Sequence, residues 1–186
     1  MKKYLLLVLV SLFALPVSLS AQELVGSTRT LEAAQRQHAD KLKQKGILEL
    51  IGTCQAAGTR EGRQGVKADA AQRYADACAS QTAAWVKADK KAAYSDAELR
   101  EFDLLQNVYR AYLKDIIQDE MVLSYMVREK LKEGSEYRGY FTLDEEAASR
   151  LRLQALEKMP QETTAAKKWV LKASSFVNQK VVVSGQ

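Results

Sequence analysis

The sequence predicts an all-α protein, a helical bundle of five or six segments built around one long central helix at about residues 96–132. Three observations lead there. Pro16 and Pro160 are the only prolines. Alanine, leucine, lysine, glutamate and glutamine dominate, a composition that favours helices over sheets. Apolar residues recur at spacings of three and four along most of the chain.

The first segment is set apart from the bundle. Lys2 and Lys3 precede an apolar run from Leu5 to Leu15, Pro16 breaks it, and the small residues Ser18, Ser20 and Ala21 follow. That order is a secretory signal peptide over 1–21, too short in its apolar part to span a bilayer. No cysteine stands at the expected cleavage point, so a lipid anchor is not expected either. Residues 22–186 form a single helical domain with frayed termini, exported to the periplasm or the extracellular space without a permanent membrane anchor.

Leu31, Ala34, His38 and Leu42 define the face of a first helix, which Gly46 should end with help from Lys43 and Lys45. Ile47, Leu50, Ile51 and Cys54 then trace a differently directed helical face. Gly58, Gly62 and Gly65 punctuate a polar loop carrying Arg60, Arg63 and Lys67. The next helix buries Ala70, Tyr74, Ala77, Cys78, Gln81, Trp85, Ala88 and Ala92, with small alanines allowing a neighbour to approach closely.

Ser95 and Glu98 form a capping box, and Tyr94 with Leu99 form its hydrophobic staple, so a helix begins here. Its apolar arc runs through Phe102, Leu105, Tyr109, Ile116, Leu123, Met126 and Val127 to a stop at Gly134. Tyr137 to Phe141 make an aromatic loop, Thr142 and Glu145 a second capping box, and a helix follows to about Pro160. A last helix carries Trp169, Val170, Ala173, Phe176 and Val177, and Val181 to Val183 pair as a short strand or fray.

Charge and cysteine content narrow the function classes. The 28 basic and 23 acidic residues, less the two lysines of the signal, leave 26 against 23, a mature charge of +3. That is too mild and too evenly mixed for nucleic-acid binding. In an oxidising compartment, Cys54 and Cys78 are expected to form a disulfide. With His38 the only histidine, neither a metal site nor a histidine-based nucleophilic triad is expected, and no cofactor motif is present. The glycine-rich stretch lacks the Gly-Lys-Ser/Thr ending of a phosphate cradle.

Two candidate sites remain. Glu120, with Asp115 or Asp119, falls within the apolar arc of the central helix, where a carboxylate must be protonated or paired. Such carboxylates serve either as ion-pair partners of Arg150, Arg152, Lys167 or Lys168 or as the acid of a cell-envelope glycan hydrolase. Tyr137, Arg138 and Tyr140 have the composition of a protein or sugar contact surface. The leading expectation is a non-enzymatic, adaptor- or chaperone-like protein that binds another protein or envelope component. The alternatives are the hydrolase and a carrier of an apolar small molecule in a cavity near Trp85 or Trp169.

Overall fold

In the computed structural model, which describes residues 37–89 and 94–183, the chain is mixed α/β and not an all-α bundle. Residues 37–44 are helical, and β1 (Ile47–Ala56) leads into α1 (Thr59–Lys87). After α2 (Asp96–Glu120) come β2 (Val122–Lys130), β3 (Ser135–Asp144), α3 (Glu145–Glu157) and α4 (Thr164–Ser174). The strands form an antiparallel sheet in the order β1-β3-β2. The signal segment 1–21, along with Leu31, Ala34 and Ala92, lies outside the described residues.

The expected break at Gly46 is present. Gly46 takes a left-handed conformation (φ 69°) that turns the chain out of helix 37–44, and the next element is a strand. Ile47, Leu50, Ile51 and Cys54 match a helical template by spacing, but the inward positions of β1 are Leu48, Leu50, Gly52 and Cys54, which alternate. Gly52 contributes no apolar side chain, so the period of two is hidden.

The central helix ends at Glu120, twelve residues short of the expected 132. Ser95 caps it with the predicted box: its Oγ accepts from the Glu98 N–H, and the Ser95 N–H donates to Glu98 Oε2. Met121 takes extended backbone (φ −66°, ψ 131°), and the apolar run beyond it forms a strand, which pairs with β3. Neither glycine nor proline marks this stop; cross-strand pairing overrides the continuing helical spacing. Gly134 (φ 74°) instead turns the β2–β3 hairpin.

Residues 137–141 are the middle of β3, the central strand, and not a loop. The second capping box is also displaced: Asp144 is the N-cap of α3, accepting from the Ala147 N–H, while Thr142 Oγ1 donates to the Val122 carbonyl. Gly58, Gly62 and Gly65 do not form a polar loop. Gly58 is the N-cap of α1, and the other two lie inside its first turns, where the helix meets the sheet.

α1 lies between the sheet and the other helices. Small residues let it come close: a Cβ on Gly62 would reach 2.4 Å from the Tyr137 ring, and one on Gly52 would stand 1.9 Å from the Val66 carbonyl oxygen. On its far side, Tyr74, Cys78 and Val86 join Phe102, Tyr109, Leu113, Leu156 and Trp169 in the main core. No strand forms at Val181–Val183; the Gln81 amide clasps the Val182 backbone, donating to its carbonyl (2.6 Å) and accepting from its N–H (3.2 Å). No described helix is long and apolar enough to cross a membrane.

Candidate functional site

Alternation along the strands gives the sheet two faces. One carries Leu50, Gly52, Tyr137, Gly139 and Phe141 and is covered by α1. The other carries Glu49, Ile51 and Thr53 of β1, Arg138, Tyr140 and Thr142 of β3, and Tyr125 and Val127 of β2. The three residues of the expected aromatic surface therefore separate. Tyr137 is fully buried under α1, with the Arg128 guanidinium 5.8 Å from its ring centre. Arg138 is exposed on the opposite face, and Tyr140 is buried there.

This second face holds a cluster outside the main core. Tyr125 and Tyr140 stack with centroids 4.3 Å apart and planes 14° from parallel. His38, from helical residues 37–44, stands edge-on to Tyr125 at 6.1 Å, with Nε2 3.4 Å from Ser124 Oγ. Ser124 is the extra residue where the β2–β3 register shifts, so the bulge turns it toward the histidine. Leu42 is buried nearby in sequence but, like Tyr140, does not belong to the main core.

Glu49 is the unusual member. It lies between Ile47 and Ile51 on the side of an edge strand turned away from α1, opposite Thr142. Its Oε1 and the Tyr125 hydroxyl are both shut away from solvent, without a hydrogen-bond partner among the described residues. Burial raises the Glu49 carboxyl above its ordinary value. It also raises the Tyr125 phenol, and the Glu49 charge and then Tyr140 add to that rise. Sequence spacing missed both residues. The available signal was the alternation Ile47, Glu49, Ile51, Thr53, a carboxylate in a strand-like apolar row.

The edges of the sheet are protected. On β1, the Thr53 N–H donates to Asp69 Oδ2 (2.8 Å), and Arg73 bonds both that carboxylate (2.7 Å) and Thr53 Oγ1 (3.1 Å). On β2, the bulge at Ser124 and the charges of Arg128, Glu129 and Lys130 serve the same end.

The other sequence candidates lie elsewhere. Asp115, Asp119 and Glu120 are all exposed at the end of α2 and not inside an apolar arc, because α1, α3 and α4 receive other faces of the helix. Arg152, expected as a partner for them, is buried and bonds neutral oxygens: Tyr74 Oη (2.5 Å), Ser149 Oγ (2.9 Å) and the Val177 carbonyl (2.8 Å from Nε). Lys168 pairs with Glu98 (2.5 Å). Trp169 is fully buried against Tyr109, and Trp85 packs on Phe176.

Cys54 and Cys78 are free thiols, not the expected bridge. Cys54 lies over Gly65, whereas Cys78 is 13 residues further along α1, about 20 Å at the helical rise. An open groove of about 630 Å³ runs between Lys45, the start of α3 and the segment after α4. Asp144, Glu145, Glu146 and Arg150 rim it above Leu153 and Val177. Among the described residues, no group of three His, Cys, Asp or Glu side chains is placed to hold a metal ion.

No protein-family model and no curated protein matches the chain. Among solved structures it is similar to the 2.3 Å crystal structure of a hypothetical protein from Francisella tularensis, with a TM-score of 0.37 and 8% identity. The match covers 80% of this chain and 54% of the other, so the chain spans about half the length of that neighbour. Neither figure is close enough to carry a fold or a function across.

Proposed function

We propose that the chain is an exported, non-enzymatic protein of the cell envelope that binds another macromolecule through the sheet face opposite α1. The observation that carries this reading is exposed Arg138 on a sheet face outside the main core, beside a stacked Tyr125–Tyr140 pair of which Tyr125 alone keeps accessible surface. Tyrosine and arginine dominate the energetics of protein contacts because they combine large apolar area with directed polar groups. With both sheet edges protected, strand addition is disfavoured and contact falls to the face.

Export rests on the signal-like order of residues 1–21. The mature protein recovered from cells should be shorter by about 21 residues and fractionate outside the cytoplasm. The contact face is tested by a photo-cross-linking residue placed in producing cells at Arg138 or, as a control, at Glu120 on the far end of α2. One defined adduct from Arg138 and none from Glu120 is the expected result. Equal capture from the two positions would remove the assignment of this face.

A further inference from the structure

We infer that the outer face of α2 is a two-fold interface, on which a second copy of this chain packs antiparallel, α2 against α2. Phe102, Leu105, Tyr109, Leu113 and Ile117 carry the face of α2 that enters the core. Helical spacing puts Arg100, Leu104, Val108, Ala111 and Asp115 on the opposite side. Val108 is half-buried and the other four are exposed; Leu104, at 67%, is an apolar side chain left in solvent.

The order of these residues fits one occupant. Reversed end for end about a point between Asn107 and Val108, the stripe meets its own complement: Arg100 falls level with Asp115, and Leu104 with Ala111. A two-fold contact brings a surface against itself and requires such a match, whereas contact with an unrelated partner does not. Charges are matched at the ends and sizes in the middle, where small Ala111 leaves room for Leu104. Tyr112, 37% exposed, extends the contact along one flank.

Neighbouring charges of α2 are already engaged within the chain. Asp103 pairs with Lys87 (2.7 Å) and Arg110 with Asp76 (3.1 Å) on one flank. On the other, Glu98 pairs with Lys168 (2.5 Å) and Glu101 accepts from Thr163 Oγ1. Arg100 and Asp115 have no ion-pair partner among the described residues. They stand about 22 Å apart along the helix, too far to pair with each other, so they pair only across the two-fold. Asp96 and Asp119, which the same reversal brings level, lie on opposite flanks of the stripe and do not meet. Because α1 lies between α2 and the sheet, this interface leaves the proposed contact face free and stands independently of it.

The test is sedimentation velocity of the full mature chain over a range of concentrations, where a reversible monomer–dimer equilibrium is expected. Arg100→Asp and Asp115→Arg change exposed residues that the core does not use. Each should raise the dimer Kd about tenfold or more, because both symmetry-related pairs turn repulsive at once. Mixed in equal amounts, the two variants should dimerise as well as the parent, since every charge again meets its opposite. Leu104→Ser should weaken the dimer, and Leu171→Ser, at a comparably exposed leucine on α4 (78%), should not. A chain that stays monomeric at every concentration, a mixture that associates no better than its components, or growth beyond the dimer overturns the inference. So does a dimer that survives Leu104→Ser or that Leu171→Ser abolishes.

Discussion

Gly52 of β1 and Gly139 of β3 stand directly opposite each other in the antiparallel ladder, and Val66 of α1 occupies the space their side chains would fill. This pair sets how close α1 lies to the sheet, and therefore which sheet face is buried by the main core. The face behind it, with Glu49, Tyr125 and Tyr140, is the one left to the smaller cluster. The two glycines meet different atoms. A Cβ at Gly52 would lie 1.9 Å from the Val66 carbonyl oxygen and 2.7 Å from the Ala70 nitrogen, both backbone. At Gly139 the nearest atoms are side chains, Val66 Cγ2 at 2.7 Å and Phe141 Cε2 at 2.9 Å.

The two alanine substitutions should therefore differ in kind. Gly52→Ala has to move the helix backbone and is expected to cost about 3 kcal/mol or more. Gly139→Ala is expected to cost about 1–3 kcal/mol. Adding Val66→Ala should recover about 1 kcal/mol in the Gly139→Ala background and nothing in the Gly52→Ala background. Urea unfolding of these four variants, with Val66→Ala alone as the control, reads this directly. Equal rescue in both would mean that α1 does not sit on the sheet through Val66.

These glycines also explain how far the fold was legible from sequence. The start of α2 was readable because its capping box and staple are local, and Gly46 was readable because a left-handed residue leaves a local mark. The strands were not. Apolar residues on β1 hit helical spacings while Gly52, its closest contact with α1, registers as a gap; β2 is apolar on both faces and comes after α2 without a stop signal. Of the candidate site, only Arg138 and Tyr140 were picked out, and they were read as part of a loop that also held Tyr137. Glu49 escaped because it shares a sheet face with Tyr125, 76 positions away in sequence, only through the pairing of both strands with β3.

Arg152 should prove a structural tether and not a catalytic cation. It is 3% exposed, and its donors go to Tyr74, Ser149 and the carbonyls of Val177 and Gln179, which tie α3 to α1 and to the segment after α4. Arg152→Ala leaves those oxygens buried without donors and is expected to cost about 3 kcal/mol. Arg152→Lys should recover little, because an ammonium cannot span the fork. Chemical denaturation checks both; a lysine variant as stable as the parent would show that charge alone suffices.

The two thiols should react at very different rates. Cys78 is fully buried, and burial, opposed only in part by nearby Arg152, pushes its thiol up to about 11. Cys54 is half-buried on an edge strand. Iodoacetamide on the native, unreduced protein should label Cys54 first, with Cys78 labelled only on unfolding. Mass spectrometry should then count two alkylated thiols in the denatured, unreduced chain. No uptake at all would mean that the cysteines are bridged, and α1 would have to be placed differently.

The capping box of α2 ties stability to acid pH in a predictable direction. Glu98 is held down to about 2, from an ordinary 4.5, chiefly by the hydrogen bond from Lys168 and next by the Ser95 N–H. A carboxyl whose folded value is depressed stabilises the fold fully above its unfolded value and loses that contribution as pH falls through its folded value. The loss from this group should therefore fall between pH 4.5 and about 2, with none above 4.5. Glu98→Gln should lower stability above that window, and its difference from the parent should shrink as the pH falls through it. Ser95→Ala should cost about 1 kcal/mol at neutral pH by removing the cap of the Glu98 N–H. Lys168→Met should raise the Glu98 value and so narrow the window from its acid side, since the largest cause of the depression is gone. Urea midpoints of the four proteins between pH 2 and 6 decide the matter. A Glu98→Gln difference that stays constant across that range would mean that the depressed carboxyl is not coupled to folding.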